Sequence, residues 1–127
     1  MIIRAALIDN VERVIHLRDD LPTTPEPTQQ GHSVDRWEGG ALVVDTTRFL
    51  KHASGVRAGV PSSRDKHVTE RFELSTDRTR LTYSYTLDDP AYLTRPITGS
   101  VEWAHRPDLV YTGYACDPGV ARRFLEQ

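Results

Sequence analysis

The chain has 127 residues, of which 38% are hydrophobic and 27% are charged, and its formal net charge is -2 at pH 7. This length is typical of one domain with one apolar core, so we expect residues 1–127 to form a single globular domain. The basic residues are spread along the chain without a block that could neutralise a run of phosphates, which argues against nucleic acid as a partner.

The chain lacks the pattern of a membrane span or of a secretory signal. No stretch approaches the ~20 apolar residues that cross a bilayer, and the first residues show no signal-peptide pattern. We therefore expect a cytoplasmic protein without membrane contact. Cys116 is the single cysteine, which rules out an internal disulfide bond, and we expect it to pack as a small apolar residue.

The first predicted elements in chain order form two β-hairpins. Residues 2–8 and 11–17 are rich in β-branched residues and flank an Asp-Asn turn, and residues 18–31 form a proline-rich loop. Residues 33–37 and 42–46 flank Gly39-Gly40, a pair that suits a type I′ turn. That turn would place Trp37 opposite Leu42, Asp35 opposite Val44 and Val34 opposite Asp45.

The second half of the chain predicts four further strands. Residues 47–66 show no sustained period and are expected to form a long connection. Strands are expected over residues 67–74, 80–87, 97–104 and 109–116, each pair joined by a turn-rich segment. Asp117 and Pro118 have the pattern of a helix start, which predicts a short C-terminal helix.

Eight short strands separated by turn signals indicate an all-β protein. We expect a single antiparallel β-barrel of the calycin or lipocalin-like type, and a two-sheet β-sandwich is the alternative. Exposed edge strands in such a domain favour a homodimer.

Strand alternation predicts that Glu70 points into the core. Successive side chains of a strand point to opposite faces, and the face of residues 67–74 that carries Glu70 also carries Val68 and Phe72. A carboxylate moved away from water has its pKa raised unless a cation or a donor compensates it, which makes it a candidate general acid or base. The alternative is structural pairing of Glu70 with Arg36, Arg71 or a tyrosine hydroxyl.

Three further side chains are candidate catalytic partners of Glu70. His32 and His67 lie at strand ends, where loops can bring them over a cavity, and imidazoles titrate near neutral pH. Asp45 ends an apolar strand, and it either joins Glu70 in the interior or forms an ion pair with Arg36 across the hairpin. Exposed histidines at loop edges are the simpler interpretation of His32 and His67.

Aromatic residues supply the predicted ligand-binding surface. Large amphipathic side chains serve both cores and pockets for small apolar molecules, and the candidates for substrate binding are Trp37, Phe72, Tyr83, Tyr85 and Trp103. Motifs for nucleotide cofactors and for the common metal sites are missing, so we expect no cofactor and no metal. A metal site of His32, His67 and Glu70 is the alternative.

Three segments resemble a family of bacterial β-rich proteins to which no activity is assigned. They are residues 31–46 (GHSVDRWEGGALVVDT), residues 67–72 (HVTERF) and residues 88–96 (DDPAYLTRP). The family pattern usually has an acidic residue where this chain has Gly40, and it often ends in an acidic, asparagine-rich segment where this chain has residues 117–119. The resemblance implies a shared architecture and no particular chemistry.

These observations lead to two functional hypotheses. The first is a cofactor-independent acid/base enzyme, an isomerase, a dehydratase (lyase) or a cyclase, that acts on a small hydrophobic molecule such as a polyketide, terpenoid or steroid-like compound in the barrel lumen. Glu70 would carry the proton, and Tyr83 or Tyr85 would donate a hydrogen bond to a developing oxyanion. The second is a non-catalytic carrier that binds a small apolar ligand.

Overall fold

The computed structural model describes residues 2–5, 11–17 and 26–109. Within these ranges the chain forms strands, turns and loops, which confirms the all-β prediction there. The strands are β1 (Ile2–Ala5), β2 (Val11–Leu17), β3 (His32–Glu38), β4 (Ala41–Thr47), β5 (His52–Arg57), β6 (Val60–Ser62), β7 (His67–Leu74), β8 (Arg80–Asp88) and β9 (Ile97–Ala104).

Seven of these strands form one sheet with the order β1-β2-β3-β4-β7-β8-β9, and β5 pairs with β6 in a separate hairpin. The seven-stranded sheet is open in its order, so the described strands do not form the closed barrel that the sequence predicts. The remainder of the strand predicted over residues 109–116 and the predicted C-terminal helix lie outside the described residues. The Asp-Asn turn and most of the loop over residues 18–31 also lie outside them.

One pairing corrects the prediction of a purely antiparallel sheet. β1 and β2 pair antiparallel as expected, but β2 and β3 pair parallel, with Ile15 opposite Ser33 and Leu17 opposite Asp35. Parallel neighbours need a long return connection, because the chain must travel back along the sheet before it pairs again. The segment between β2 and β3 provides that length.

The β3–β4 hairpin has the predicted turn and register. Gly39 and Gly40 both have positive φ, 56° and 86°, as a type I′ turn requires. Trp37 lies opposite Leu42, and Val34 lies opposite Asp45. β4 then continues the antiparallel sheet with β7, so β4 lies in the middle of the sheet.

The long connection predicted over residues 47–66 is wrong in part, because it contains the hairpin of β5 and β6. β5 is mostly exposed, whereas β6 is half-buried and ends in the buried Ser62. The register of the two strands shifts between His52 and Arg57. The segment therefore lacks the alternation of apolar and polar residues on which strand prediction depends. Gly59, with φ 76°, makes the turn.

Two buried polar contacts lie next to this hairpin. The fully buried Asp89 accepts hydrogen bonds from the backbone N–H of Ser63 (2.7 Å) and from its hydroxyl (2.8 Å). Lys66 places its Nζ 4.0 Å from the centre of the Phe49 ring and donates to the Gly55 carbonyl. Burial lowers the pKa of the Lys66 amine.

The apolar core centres on β4. Ile15, Leu42 and Val44 form a buried cluster on which Phe72 packs. Val43 is also buried although it lies on the other face, where Arg36 and Arg71 are its cross-strand neighbours. The aliphatic parts of arginine side chains can cover such an apolar residue while the charged groups stay in water.

Gly31→Ala should destabilise the fold more than Gly40→Ala. Both glycines have positive φ, which costs about 1–2 kcal/mol for a residue with a Cβ, but only at Gly31 would the Cβ also collide with the Thr47 carbonyl oxygen, at 2.7 Å. No atom lies within 4 Å of a Cβ built at Gly40. We expect the free energy of unfolding, measured by urea titration, to fall by at least about 1 kcal/mol more for Gly31→Ala. Equal losses would contradict the close packing at Gly31.

Candidate functional site on the inner face

The inner face is defined here as the face of the seven-stranded sheet that carries Glu70. Cross-strand partners point to the same side of a sheet. The row through Glu70 therefore contains Asp35, Val44 and Tyr85. The next rows toward the Gly39-Gly40 turn contain Trp37, Leu42, Phe72, Tyr83 and Val101, followed by Leu74, Leu81 and Trp103.

Glu70 is buried on this face, as strand alternation predicts, with 6% of its surface exposed. Its carboxylate pairs with the Arg13 guanidinium through two hydrogen bonds, Nη1 to Oε1 at 3.0 Å and Nη2 to Oε2 at 2.5 Å. The Tyr83 hydroxyl donates a third, to Oε1 at 3.0 Å. The negative charge of Glu70 is therefore compensated.

Arg13 also binds the two strands that separate β2 from β7. Its guanidinium donates to the Ser33 hydroxyl on β3, at 3.0 and 2.8 Å, and to the Thr46 hydroxyl on β4, at 2.6 Å. The two hydroxyls lie 2.9 Å apart and hydrogen bond to each other. Arg13 thus has a hydrogen bond to each of three successive strands.

This arrangement changes the chemistry expected of Glu70. A general base must offer a free lone pair to the proton that it takes, whereas both Glu70 oxygens accept from Arg13. The structural alternative predicted pairing with Arg36, Arg71 or a tyrosine hydroxyl, and the tyrosine is Tyr83. Both of those arginines lie on the opposite face, and the cation is Arg13.

Tyr83 connects the ion pair to the aromatic residues. Burial, followed by the negative charge of Glu70, raises the pKa of the Tyr83 phenol, so the hydroxyl keeps its proton and donates a hydrogen bond to Glu70. The Tyr83 ring lies 5.1 Å from Phe72, 6.0 Å from Tyr85 and 5.3 Å from Trp103, measured between ring centres. The interplanar angle with Trp103 is 15°, which is a stacked geometry.

The five residues predicted to bind substrate all lie on the inner face. We call this set the aromatic surface, and its members are Trp37, Phe72, Tyr83, Tyr85 and Trp103. Trp37 is 72% exposed and Trp103 is 47% exposed. Apolar ring faces are therefore open to solvent beside the buried ion pair.

Gly99 shapes one border of the aromatic surface. It lies opposite Tyr85, and a Cβ added there would come within 2.5 Å of the Tyr85 ring. The absent side chain therefore lets that ring lie against β9.

Asp45 and His67 are brought together on the opposite face of the seven-stranded sheet, which we call the outer face. His67 Nε2 lies 3.0 Å from Asp45 Oδ1, and the Thr69 hydroxyl donates to the same oxygen at 2.8 Å. Arg36 forms an ion pair with Asp45 across the hairpin, as one of the sequence interpretations proposed. Burial raises the pKa of the Asp45 carboxyl, but hydrogen bonds from Thr69, Arg36 and His67 outweigh it, so the pKa is lowered overall.

The four predicted catalytic residues therefore do not converge. Val44 is the direct neighbour of Glu70, so Asp45, the next residue along β4, points to the other face. His32 lies opposite Thr47 on that same outer face, and its Nε2 lies 2.6 Å from the Glu26 carbonyl oxygen. The alternative metal site is therefore not formed either, because His32 and His67 lie on the outer face and Glu70 lies on the inner face. Among the described residues no group of three or more metal-ligating side chains is present.

A groove of about 540 Å³ lies on the outer face. Most of the residues that line it are polar, and they include Arg36, Arg71, Thr69, Ser84, Thr86 and Ser100. Thr69 connects the groove to Asp45 through its hydrogen bond.

Sequence reasoning missed Arg13. The alternation of side chains along β2 could have indicated it, because Arg13 lies on the same side of that strand as the buried Ile15. What could not be inferred was the parallel pairing with β3, which brings that side of β2 onto the inner face.

No family model, curated protein or solved structure matches the chain. In the part of the chain that the structure describes, no helix has the length and apolar character needed to cross a membrane.

Arg13→Met should be strongly destabilising because it leaves the Glu70 carboxylate buried without its cation. Removing one partner of a buried ion pair typically costs about 3–5 kcal/mol, whereas an exposed pair contributes about 0–1 kcal/mol. Arg80→Met, which breaks the exposed ion pair with Glu102, is the matched control. We expect the double variant Arg13→Met/Glu70→Met to be more stable than Arg13→Met in urea titrations. Additive losses in the double variant would show that the two side chains are not coupled.

Proposed function

We propose that this domain binds a small, mostly apolar molecule on the aromatic surface and does not transform it there. The observation that carries the proposal is the open stack of aromatic rings beside a compensated ion pair. Ligand pockets combine apolar and aromatic lining with a few fixed polar groups, and the inner face has this composition.

The exposed rings supply the driving force for binding. Each aromatic side chain has a large apolar area, and covering it with a ligand removes that area from water at a gain of about 25 cal/mol per Å². Stacked or tilted ring pairs add about 0.5–1.5 kcal/mol beyond the area. Trp37 and Trp103 have the most exposed ring surface in the set.

The ion pair favours binding over proton transfer on this face. Arg13 donates to both Glu70 oxygens, and the Tyr83 hydroxyl already donates to that carboxylate. Neither group is free to move a proton to or from a ligand without breaking these bonds. Binding here requires no closed barrel, although the barrel predicted from the sequence would enclose the ligand more completely.

Replacing Trp37 or Trp103 by alanine should weaken binding of a neutral apolar probe. The fluorophore N-phenyl-1-naphthylamine becomes brighter when it leaves water, so its titration reports the affinity. Loss of one ring contact worth about 0.5–1.5 kcal/mol predicts a two- to tenfold weaker affinity. Tyr92→Ala removes an aromatic residue that is exposed outside the sheet and should leave the affinity unchanged.

Two results would contradict this function. One is the absence of probe binding by the folded wild-type protein. The other is that Trp37→Ala and Trp103→Ala bind the probe as well as Tyr92→Ala does. Sedimentation velocity should be run in parallel, because a second copy of the chain in the expected homodimer could cover the same rings.

A second candidate function is the acid/base enzyme, an isomerase, dehydratase or cyclase, with its chemistry moved to the outer face. The hydrogen bond between His67 and Asp45 favours it, since a carboxylate that orients an imidazole is a common arrangement for a general base. Thr69 and Arg36 hold Asp45 in place. His67 then replaces Glu70 as the proton carrier.

His67→Gln should reduce any proton transfer at this site by about a hundredfold, the lower range for loss of a general base. Deuterium uptake at the α-carbon of a panel of small cyclic ketones in D₂O, followed by NMR, measures it directly. His52→Gln changes an exposed histidine on β5 and is the control. Exchange that is absent in the wild type, or undiminished in His67→Gln, would eliminate this candidate.

A further inference from the structure

Asp35 differs from Glu70, the other carboxylate among the described residues of the inner face. Only 8% of its surface is exposed, and it lies opposite Val44 in the centre of the sheet. No hydrogen bond or ion pair joins its side chain to any residue that the structure describes. Its carboxylate oxygens keep contact with solvent, since the Ser62 hydroxyl is the one buried side-chain oxygen or nitrogen without a partner in the described part of the chain. The charge is therefore open to a ligand although most of the residue is covered.

The contrast with Glu70 shows how unusual this is. Glu70 lies in the same row, on the far side of Val44, and it accepts hydrogen bonds from Arg13 and Tyr83. Arg13 has a further hydrogen bond to Ser33 and another to Thr46. The Arg13 guanidinium thus donates to Glu70, Ser33 and Thr46, and not to Asp35.

The charge balance of the face favours a cationic ligand. Among the described inner-face strand residues, Arg13, Asp35 and Glu70 are those with a formal charge at neutral pH, one positive and two negative, which gives -1. A carboxylate- or phosphate-bearing ligand would meet this negative charge without a free cation to bind it. A protonated amine would compensate it.

Asp35 is also well placed relative to the aromatic surface. Trp37 lies two residues further along β3 on the same side, a distance of about 6.6 Å along a strand. Aromatic ring faces attract cations, so an ammonium group between the carboxylate and the rings would be favoured by both. An aryl group on the same molecule could stack on the exposed Trp37 ring.

We infer that the ligand of the aromatic surface is an arylalkylamine or a similar aromatic molecule, whose protonated nitrogen pairs with Asp35. This inference rests on the proposed apolar binding function and specifies its ligand class. It assigns Asp35 the role of the recognition residue for the cation.

A pair of matched probes tests the charge. 2-Phenylethylamine and 2-phenylethanol have the same ring and chain and differ in an ammonium group against a hydroxyl. NMR titration of the wild-type protein at pH 7 should give at least tenfold tighter binding of the amine. Asp35→Asn should reduce that preference to below threefold, mainly by weakening the binding of the amine. Glu38→Gln, an exposed acidic residue on the outer face of the same strand, should keep the full preference.

The possible outcomes separate this inference from the function on which it rests. If both probes bind equally, or if Asp35→Asn keeps the preference for the amine, the cation site is refuted while apolar binding stands. If neither probe nor N-phenyl-1-naphthylamine binds, the apolar binding function fails and the amine inference fails with it.

Thermal unfolding without ligand provides an independent readout. Asp35→Asn should not unfold at a lower temperature than the wild type, because the substitution breaks no hydrogen bond or ion pair with a described residue. A clear decrease would show that Asp35 has a structural partner and would overturn its assignment as a ligand-binding residue.

Discussion

The ion pair between Arg13 and Glu70 is the interaction on which the inner face depends. Arg13 lies on β2 and Glu70 on β7, and two strands separate them in the sheet. Neighbouring strands lie about 4.8 Å apart, so β2 and β7 would be about 14 Å apart in a flat sheet. An arginine and a glutamate side chain bridge such a span when both reach toward each other across the inner face. The ion pair therefore ties β2 to β7 over the two strands between them.

This ion pair places the polar and the aromatic residues in a fixed relation. Ser33 and Thr46 line the path of the Arg13 side chain, and Tyr83 contacts both the carboxylate and the neighbouring rings. The ring of Tyr83 is held by its hydroxyl at one end and by stacking on its faces. A surface of this kind is preorganised, and a ligand that binds it loses little free energy in ordering the side chains.

Much of this face could be predicted from local sequence patterns. Alternation in β7 and β8 placed Glu70 with Phe72, Tyr83 and Tyr85, and Gly39-Gly40 fixed the register of β3 against β4. The partner of Glu70 could not be predicted, because the parallel pairing of β2 with β3 is a non-local contact for which a short motif contains no signal. The β5–β6 hairpin was missed for a different reason: it is short and irregular, and its buried position is the polar Ser62, so the segment has no hydrophobic period.

The separation of the two faces decides what each carboxylate can do. Val44 on β4 lies directly opposite Glu70, and Asp45 is the next residue of that strand. This step of one residue places Asp45 and Glu70 on opposite faces of the sheet. Asp45 orients an imidazole beside a polar groove, whereas Glu70 neutralises an arginine beneath aromatic rings. Asp35 is the acidic residue of the inner face without either kind of partner. A negative charge held in that position, next to exposed rings and away from the engaged arginine, favours a molecule that brings both an apolar body and a cation.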